Sequence, residues 1–175
     1  MRKIFLTTII LLLAIYSSGQ ITDTITYNQK SKLNWTDFKE IEVVSDSSKG
    51  FNFSSSIQMR IVKVNVWTGV TTFEAYGIYY LSKNWISIVK KNNKMLEYFQ
   101  LQFDIANSFA KQLEREINSK KINGAYKSKM EKIFKGFENR LNKIYQKMDT
   151  ETLNGQNDEL IETWKIKQKN GTLES

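Results

Sequence analysis

The chain contains no cysteine, no histidine and no proline among its 175 residues. Without cysteine there are no disulfides, no thiolate zinc sites and no cysteine nucleophile. Without histidine there is no imidazole ligand, no histidine general base and no Ser-His or Cys-His pairing. Without proline, and with only 8 glycines, the turns fall to Gly, Asn, Asp and Ser. What remains is 41% hydrophobic and 25% charged. That is the composition of an ordinary globular protein, not of a disordered, collagen-like or membrane-bundle chain.

The amino terminus reads as an export signal. Arg2 and Lys3 form a positive n-region, Ile4 to Tyr16 a largely apolar run, and Ser17, Ser18 and Gly19 a small-residue cleavage region before Gln20. The apolar run falls short of the ~20 residues a spanning helix needs. The alternative is an uncleaved anchor. With cleavage, residues 1–19 are a signal peptide and residues 20–175 a single domain, placed in the periplasm or outside the cell. No later segment is apolar enough to cross a bilayer, so no transmembrane segment is expected after cleavage.

The charge is basic, with 26 Lys and Arg against 18 Asp and Glu. Its excess is concentrated. Lys111 to Lys147 holds 11 basic and 4 acidic residues, a net +7 out of the chain's +8. Such a segment suits a solvated helix exterior or an anionic envelope surface. No aromatic-basic recognition motif is present, so no nucleic-acid partner is expected.

Beyond residue 20 three zones follow. The first, from about Ile21 to Ile88, alternates with period two: Ile57, Met59 and Ile61, then Val62, Val64 and Val66. This predicts half-buried strands over Phe53–Trp67 and Val70–Leu81, joined at Thr68-Gly69 as a hairpin. The change of phase between Ile61 and Val62 suggests a bulge. Ser and Thr around Phe53–Ile57 look like a solvated strand face. The second zone has helical spacing. Leu96, Phe99, Phe103, Ala106, Ala110, Leu113 and Ile117 predict a helix over about Lys94 to Asn118, capped by Asn92 or Asn93. Asn123-Gly124 breaks it. Met130, Ile133, Phe137, Leu141, Ile144 and Met148 predict a second long helix. The third zone is a loop with Asn154-Gly155, then a short polar helix or tail around Trp164.

The run from Lys94 to Asn107 resembles the motif helix of a bacterial exported family of unknown function, regarded as zinc-dependent proteases. That family reads His-Glu-Gln-x-His-Phe-Asp-Ile-Ala, and Gln100, Phe103, Asp104, Ile105 and Ala106 match it, with Leu96 in the leucine-rich lead-in. Leu33-Asn-Trp35-Thr-Asp37-Phe38-Lys39 is similar to the family's opening Leu-x-Trp-x-Asp-Phe-Lys. Lys49-Gly50-Phe51 sits where its Ser-Gly-Ile step lies, and Ser82-Lys-Asn-Trp85-Ile86 resembles its Lys-Ser-Trp-Val. Asp149-Thr-Glu151-Thr152-Leu-Asn154-Gly155 is similar to Asp-x-Glu-Thr-x-His-Gly, with Trp164 at the expected distance beyond. The resemblance implies an α+β, zincin-like fold, with an antiparallel sheet or hairpin ahead of the two long helices.

The departures fall on the chemistry. The family's two helix histidines, one turn apart and able to share a zinc, correspond to Tyr98 and Gln102. Its glutamate corresponds to Phe99, and a histidine that the resemblance marks as third ligand corresponds to Asn154. A phenol is about one part in a thousand ionised at pH 7, so a Tyr98 phenolate costs roughly 4 kcal/mol. Amide oxygens suit harder cations than zinc. Phe99 accepts no proton. These four positions therefore mark a degenerate site, where Tyr98, Gln102 and Asn154 are expected to hydrogen-bond to one another. Asp104 and Glu151 are expected to support neighbouring groups, Asp104 through a backbone amide or Lys111. No catalytic residue, metal or cofactor is expected.

The reading is thus an exported, catalytically inactive relative of these proteases, with a binding or structural role toward an unknown protein or envelope component. Two rivals stand beside it: a hydrolase with an unrecognised non-zinc site among Glu97, Asp104, Asp149 and Glu151, and an envelope-associated module using the basic helical face.

Overall fold

The computed structural model describes residues 23–42, 50–122 and 127–173. The proposed signal, Lys49 and the Asn123-Gly124 break lie outside the described residues. The strands are β1 (Thr24–Thr26), β2 (Lys39–Ile41), β3 (Phe51–Asn52), β4 (Ser55–Val64), β5 (Thr71–Tyr80) and β6 (Trp85–Ser87). Three helices follow: α1 (Asn93–Ser119), α2 (Lys127–Glu151) and α3 (Asp158–Asn170). The class is α+β, with strands gathered ahead of the helices as the periodicity predicts.

One sheet has the order β1-β5-β4 and is antiparallel throughout; a smaller one has the order β2-β6-β3. In the smaller sheet β2 runs parallel to β6, a pairing the sequence reading does not contain. The whole β4–β5 hairpin lies between those two strands in the chain, which leaves ample length for a parallel return. The hairpin is joined at residues 65–70. There the Asn65 side chain accepts from the amides of Trp67 and Thr68 at 2.9 and 3.0 Å.

The phase change at Val62 is a bulge. Ile61 pairs with Phe73, and Lys63 with Thr72. Val62 is the extra residue, and the slip returns Val64 to the face that carries Ile57, Met59 and Ile61. That face is covered only in part. Ile57 is buried, but Ile61, Val62, Val64 and Val66 are exposed, against the half-buried pattern predicted. The cause is length. Helix α1 ends at Ser119, and the Thr71 amide already meets the Ile122 carbonyl beyond that end, so the hairpin tip runs past its supporting helix.

Helix α1 begins where Asn92 caps the Met95 amide at 3.0 Å. Beyond the predicted stripe it also buries Met95, Leu101, Ile105 and Phe109. It lies between the larger sheet and helices α2 and α3, so a single apolar face is not enough to line all its contacts. Of the short polar helix or tail predicted around Trp164, the structure shows a helix, α3. Asn157 caps it at the Leu160 amide, Gly171 ends it in the left-handed region, and it fully buries Trp164.

Candidate functional site

Tyr98 and Gln102 lie one turn apart on α1, so their side chains leave the same face. Both donate to one acceptor. The Tyr98 hydroxyl and the Gln102 Nε2, the latter at 3.0 Å, bond the same Oδ1 of Asp149 near the end of α2. Tyr98 has no exposed surface and Gln102 is 7% exposed. Burial, and then the carboxylate beside it, push the Tyr98 phenol above its ordinary range, so it stays protonated and donates to that carboxylate. Tyr145, one turn before Asp149, closes the cluster from the other side. Its hydroxyl donates to the Gln102 carbonyl at 2.9 Å and meets Ser55 Oγ at 2.7 Å. The serines expected to face solvent thus include one bonded inward.

The loop after α2 folds over the Tyr98 ring. Thr152, fully buried, donates from Oγ1 to the Met148 carbonyl at 2.7 Å and accepts from the Gly155 amide at 3.1 Å. Gly155 has a φ of +81°, and a Cβ there would stand 2.7 Å from Tyr98 Cδ1. Only a residue with neither side chain nor left-handed strain fits. Asn154 lies next to this contact, with φ +55° and its amide donating to the Asp149 carbonyl at 2.7 Å. Its side chain stays half-buried and forms no hydrogen bond with Tyr98 or Gln102 among the described residues. The expected three-way bonding is therefore replaced by two donors on Asp149, with Asn154 contributing its backbone.

Phe99 points the other way, into a ring cluster. Its centroid lies 5.1 Å from Phe38, 5.2 Å from Phe51 and 5.2 Å from Phe53, and none of its surface is exposed. Phe38 belongs to the opening motif, as does Asp37, which holds Lys30 at 2.5 Å and the Tyr79 hydroxyl at 3.1 Å. These motif residues build the core wall behind position 99.

The two supporting carboxylates do not reach the cluster. Asp104 accepts from Gln100 Nε2 at 2.7 Å and from Tyr27 at 3.0 Å, not from Lys111, which pairs with Glu114. Gln100 in turn binds the Ser31 carbonyl and the Leu33 amide. The pair thus fastens the segment leading out of β1 onto α1. Burial raises the Asp104 carboxyl above its usual range, and burial followed by the Asp104 charge takes Tyr27 up to about 12. Glu151 accepts from the Trp164 indole at 2.9 Å and ties α2 to α3. Asp149, which the sequence reading places only among four candidate carboxylates, is the acceptor that joins the two helix positions. Its signal was its place at the head of the Asp-x-Glu-Thr match.

These side chains do not fit a zinc ion. Tyr98 is held protonated, Gln102 spends its amide N–H on Asp149, and Asp149 is a single carboxylate already accepting both. Among the described residues no group of three or more Asp and Glu side chains is placed to hold a metal. What the arrangement does chemically is satisfy buried polar atoms. Compared with family models, with curated proteins and with solved structures, the chain matches none.

Proposed function

We propose that this chain is an exported, catalytically silent relative of the zinc-dependent proteases its motifs resemble, zincin-like in plan, with a binding or structural role. One observation carries the reading. Tyr98 and Gln102 converge on Asp149 while the loop bearing Asn154 and Gly155 closes over the Tyr98 ring. Two helix positions one turn apart and a third from a following loop are the arrangement a helix-borne metal centre requires. Here hydrogen bonds occupy that space. Phe99, at the position that the resemblance gives to the base, has no exposed surface and accepts no proton.

The experiment has two arms. Elemental analysis and a peptidase assay on the purified chain are expected to give far less than one zinc per chain and no chelator-sensitive cleavage. One equivalent of zinc together with such cleavage overturns the reading. In the second arm, Tyr98→His, Gln102→His and Asn154→His are combined and titrated with cobalt(II). A tetrahedral cobalt absorption band is expected. A folded triple variant with no band shows that the three positions do not form the site assigned to them.

A further inference from the structure

The β4–β5 hairpin presents apolar side chains that nothing among the described residues covers. Val66 is 87% exposed and Trp67 92% exposed at the turn, with Ile61, Val62 and Val64 exposed along β4. Scattered exposed apolar residues are ordinary, but a tryptophan and four aliphatic residues within seven positions are a patch. From Ile61 to Phe73 the chain carries no acidic residue. Below the tip, Met59, Ile61 and Phe73 of the hairpin and Met130 and Phe134 of α2 line a groove of about 500 Å³. The apolar surface thus extends from the turn down to the first turns of α2.

Charge gathers at the same end. The Thr71 amide bonds the Ile122 carbonyl, and the Phe73 amide bonds Asn118 Oδ1, so the tip is fastened where α1 ends and α2 begins. Lys121, Lys129, Lys132 and Lys135 are exposed there with Glu131 among them, Lys120 pairs with Glu116, and Lys63 adds another cation on β4. A partner for this end must accept an indole and valines while offering negative charge around them. The interface of an anionic bilayer does both. Its headgroup layer takes tryptophan in preference to other side chains, aliphatic tips reach the acyl boundary, and each lysine near the surface adds roughly fivefold in affinity. An acidic protein groove would match the charge but needs a concave apolar slot for a protruding turn.

We propose that the β4–β5 hairpin tip is a membrane-docking element, seating Val66 and Trp67 in the interface of an anionic phospholipid bilayer while Lys121, Lys129, Lys132 and Lys135 bind its headgroups. This goes beyond the reading of the buried cluster and does not depend on it.

The test uses the full chain with vesicles of phosphatidylglycerol and phosphatidylcholine in equal parts, and with phosphatidylcholine vesicles alone. The signal is the emission of Trp67, taken as wild type minus Trp67→Phe. The apolar run from Ile4 to Tyr16 is present in both chains and cancels. On anionic vesicles the Trp67 component is expected to shift to the blue and to be quenched by brominated acyl chains, and high salt should reverse both. Lys129→Glu, Lys132→Glu and Lys135→Glu together should raise the lipid concentration at half-binding at least tenfold. These lysines are exposed, so circular dichroism should be unchanged. A Trp67 that stays water-quenched on anionic vesicles overturns the proposal, as does an equal shift on neutral ones. A shift that appears without lipid as the protein is concentrated also overturns it, and names a second copy as the occupant.

Discussion

Four glycine-to-alanine substitutions separate the two effects that would make Gly155 irreplaceable. Gly136 lies exposed inside α2, with nothing within 4 Å of an added Cβ. Alanine there should stabilise by about 0.5–1 kcal/mol, the ordinary helix gain. Gly171 has φ +70° and the same open space. Alanine there meets only the left-handed penalty, about 1–2 kcal/mol. Gly77 has no such φ, but an added Cβ would stand 2.8 Å from the Asn107 backbone nitrogen, where β5 presses on α1. Overpacking of that kind costs about 1–3 kcal/mol. Gly155 combines φ +81° with 2.7 Å to two carbons of a fully buried ring. The two penalties together give about 2–5 kcal/mol. Urea unfolding followed by circular dichroism gives the order directly, since a chain of this size loses about 2–4 °C of Tm per kcal/mol as a cross-check. The expected order of stability is Gly136→Ala above wild type, then Gly171→Ala, with Gly155→Ala last. A Gly155→Ala chain no weaker than Gly171→Ala would refute the packing of the loop on Tyr98, and with it the convergence on which the proposed function rests.

Two further outcomes follow from the same cluster and its surroundings. Tyr98→Phe removes one donor from Asp149 and should cost about 1–2 kcal/mol in urea unfolding, whereas Asp149→Ala strands both Tyr98 and Gln102 and should cost about 2–5 kcal/mol; equal losses would show that the carboxylate is not shared. Tyr27, Tyr79, Tyr98 and Tyr145 are all raised, chiefly by burial, so each stays protonated in the fold after it would ionise in the unfolded chain. Their contribution is complete below pH ~10 and is lost as pH rises, with a limiting slope of about 1.4 kcal/mol per pH unit for each. Tyrosinate absorbance of all 8 tyrosines ionising together near pH ~10 in a still-folded chain would contradict this.

Local features of the fold were legible in the residues. The Asn92 cap, the two long helices and the Val62 bulge each depend on neighbours within a turn or a strand pair, and the spacing carries them. What lies above a face is not local. Ile61 and Val64 read as half-buried because period two reports which side a residue takes, and only the length of α1 decides whether that side is covered. The site divides the same way. Tyr98 and Gln102 share a face by helix geometry alone, but their acceptor is 51 and 47 residues away and becomes visible only once α2 is packed. For Asp104 the sequence offers a backbone amide or Lys111, two helix turns along; its phenol partner comes from the far end of the described chain, 77 residues earlier. Glu151 and Trp164, which both carry the resemblance, bond each other across 13 residues once α3 packs on α2.

The pairing of β1 fixes a distance. Thr24 lies opposite Tyr80 and Thr26 opposite Ile78, so the described chain starts at the end of β5 remote from the turn. The ten residues of β5 place the two ends about 30 Å apart. A tether attached upstream of residue 23 would therefore leave the domain at the end opposite its indole-bearing tip. Bringing both ends onto one flat support requires the molecule to lie on its side. The strand acts as a fixed-length strut that keeps the two ends apart.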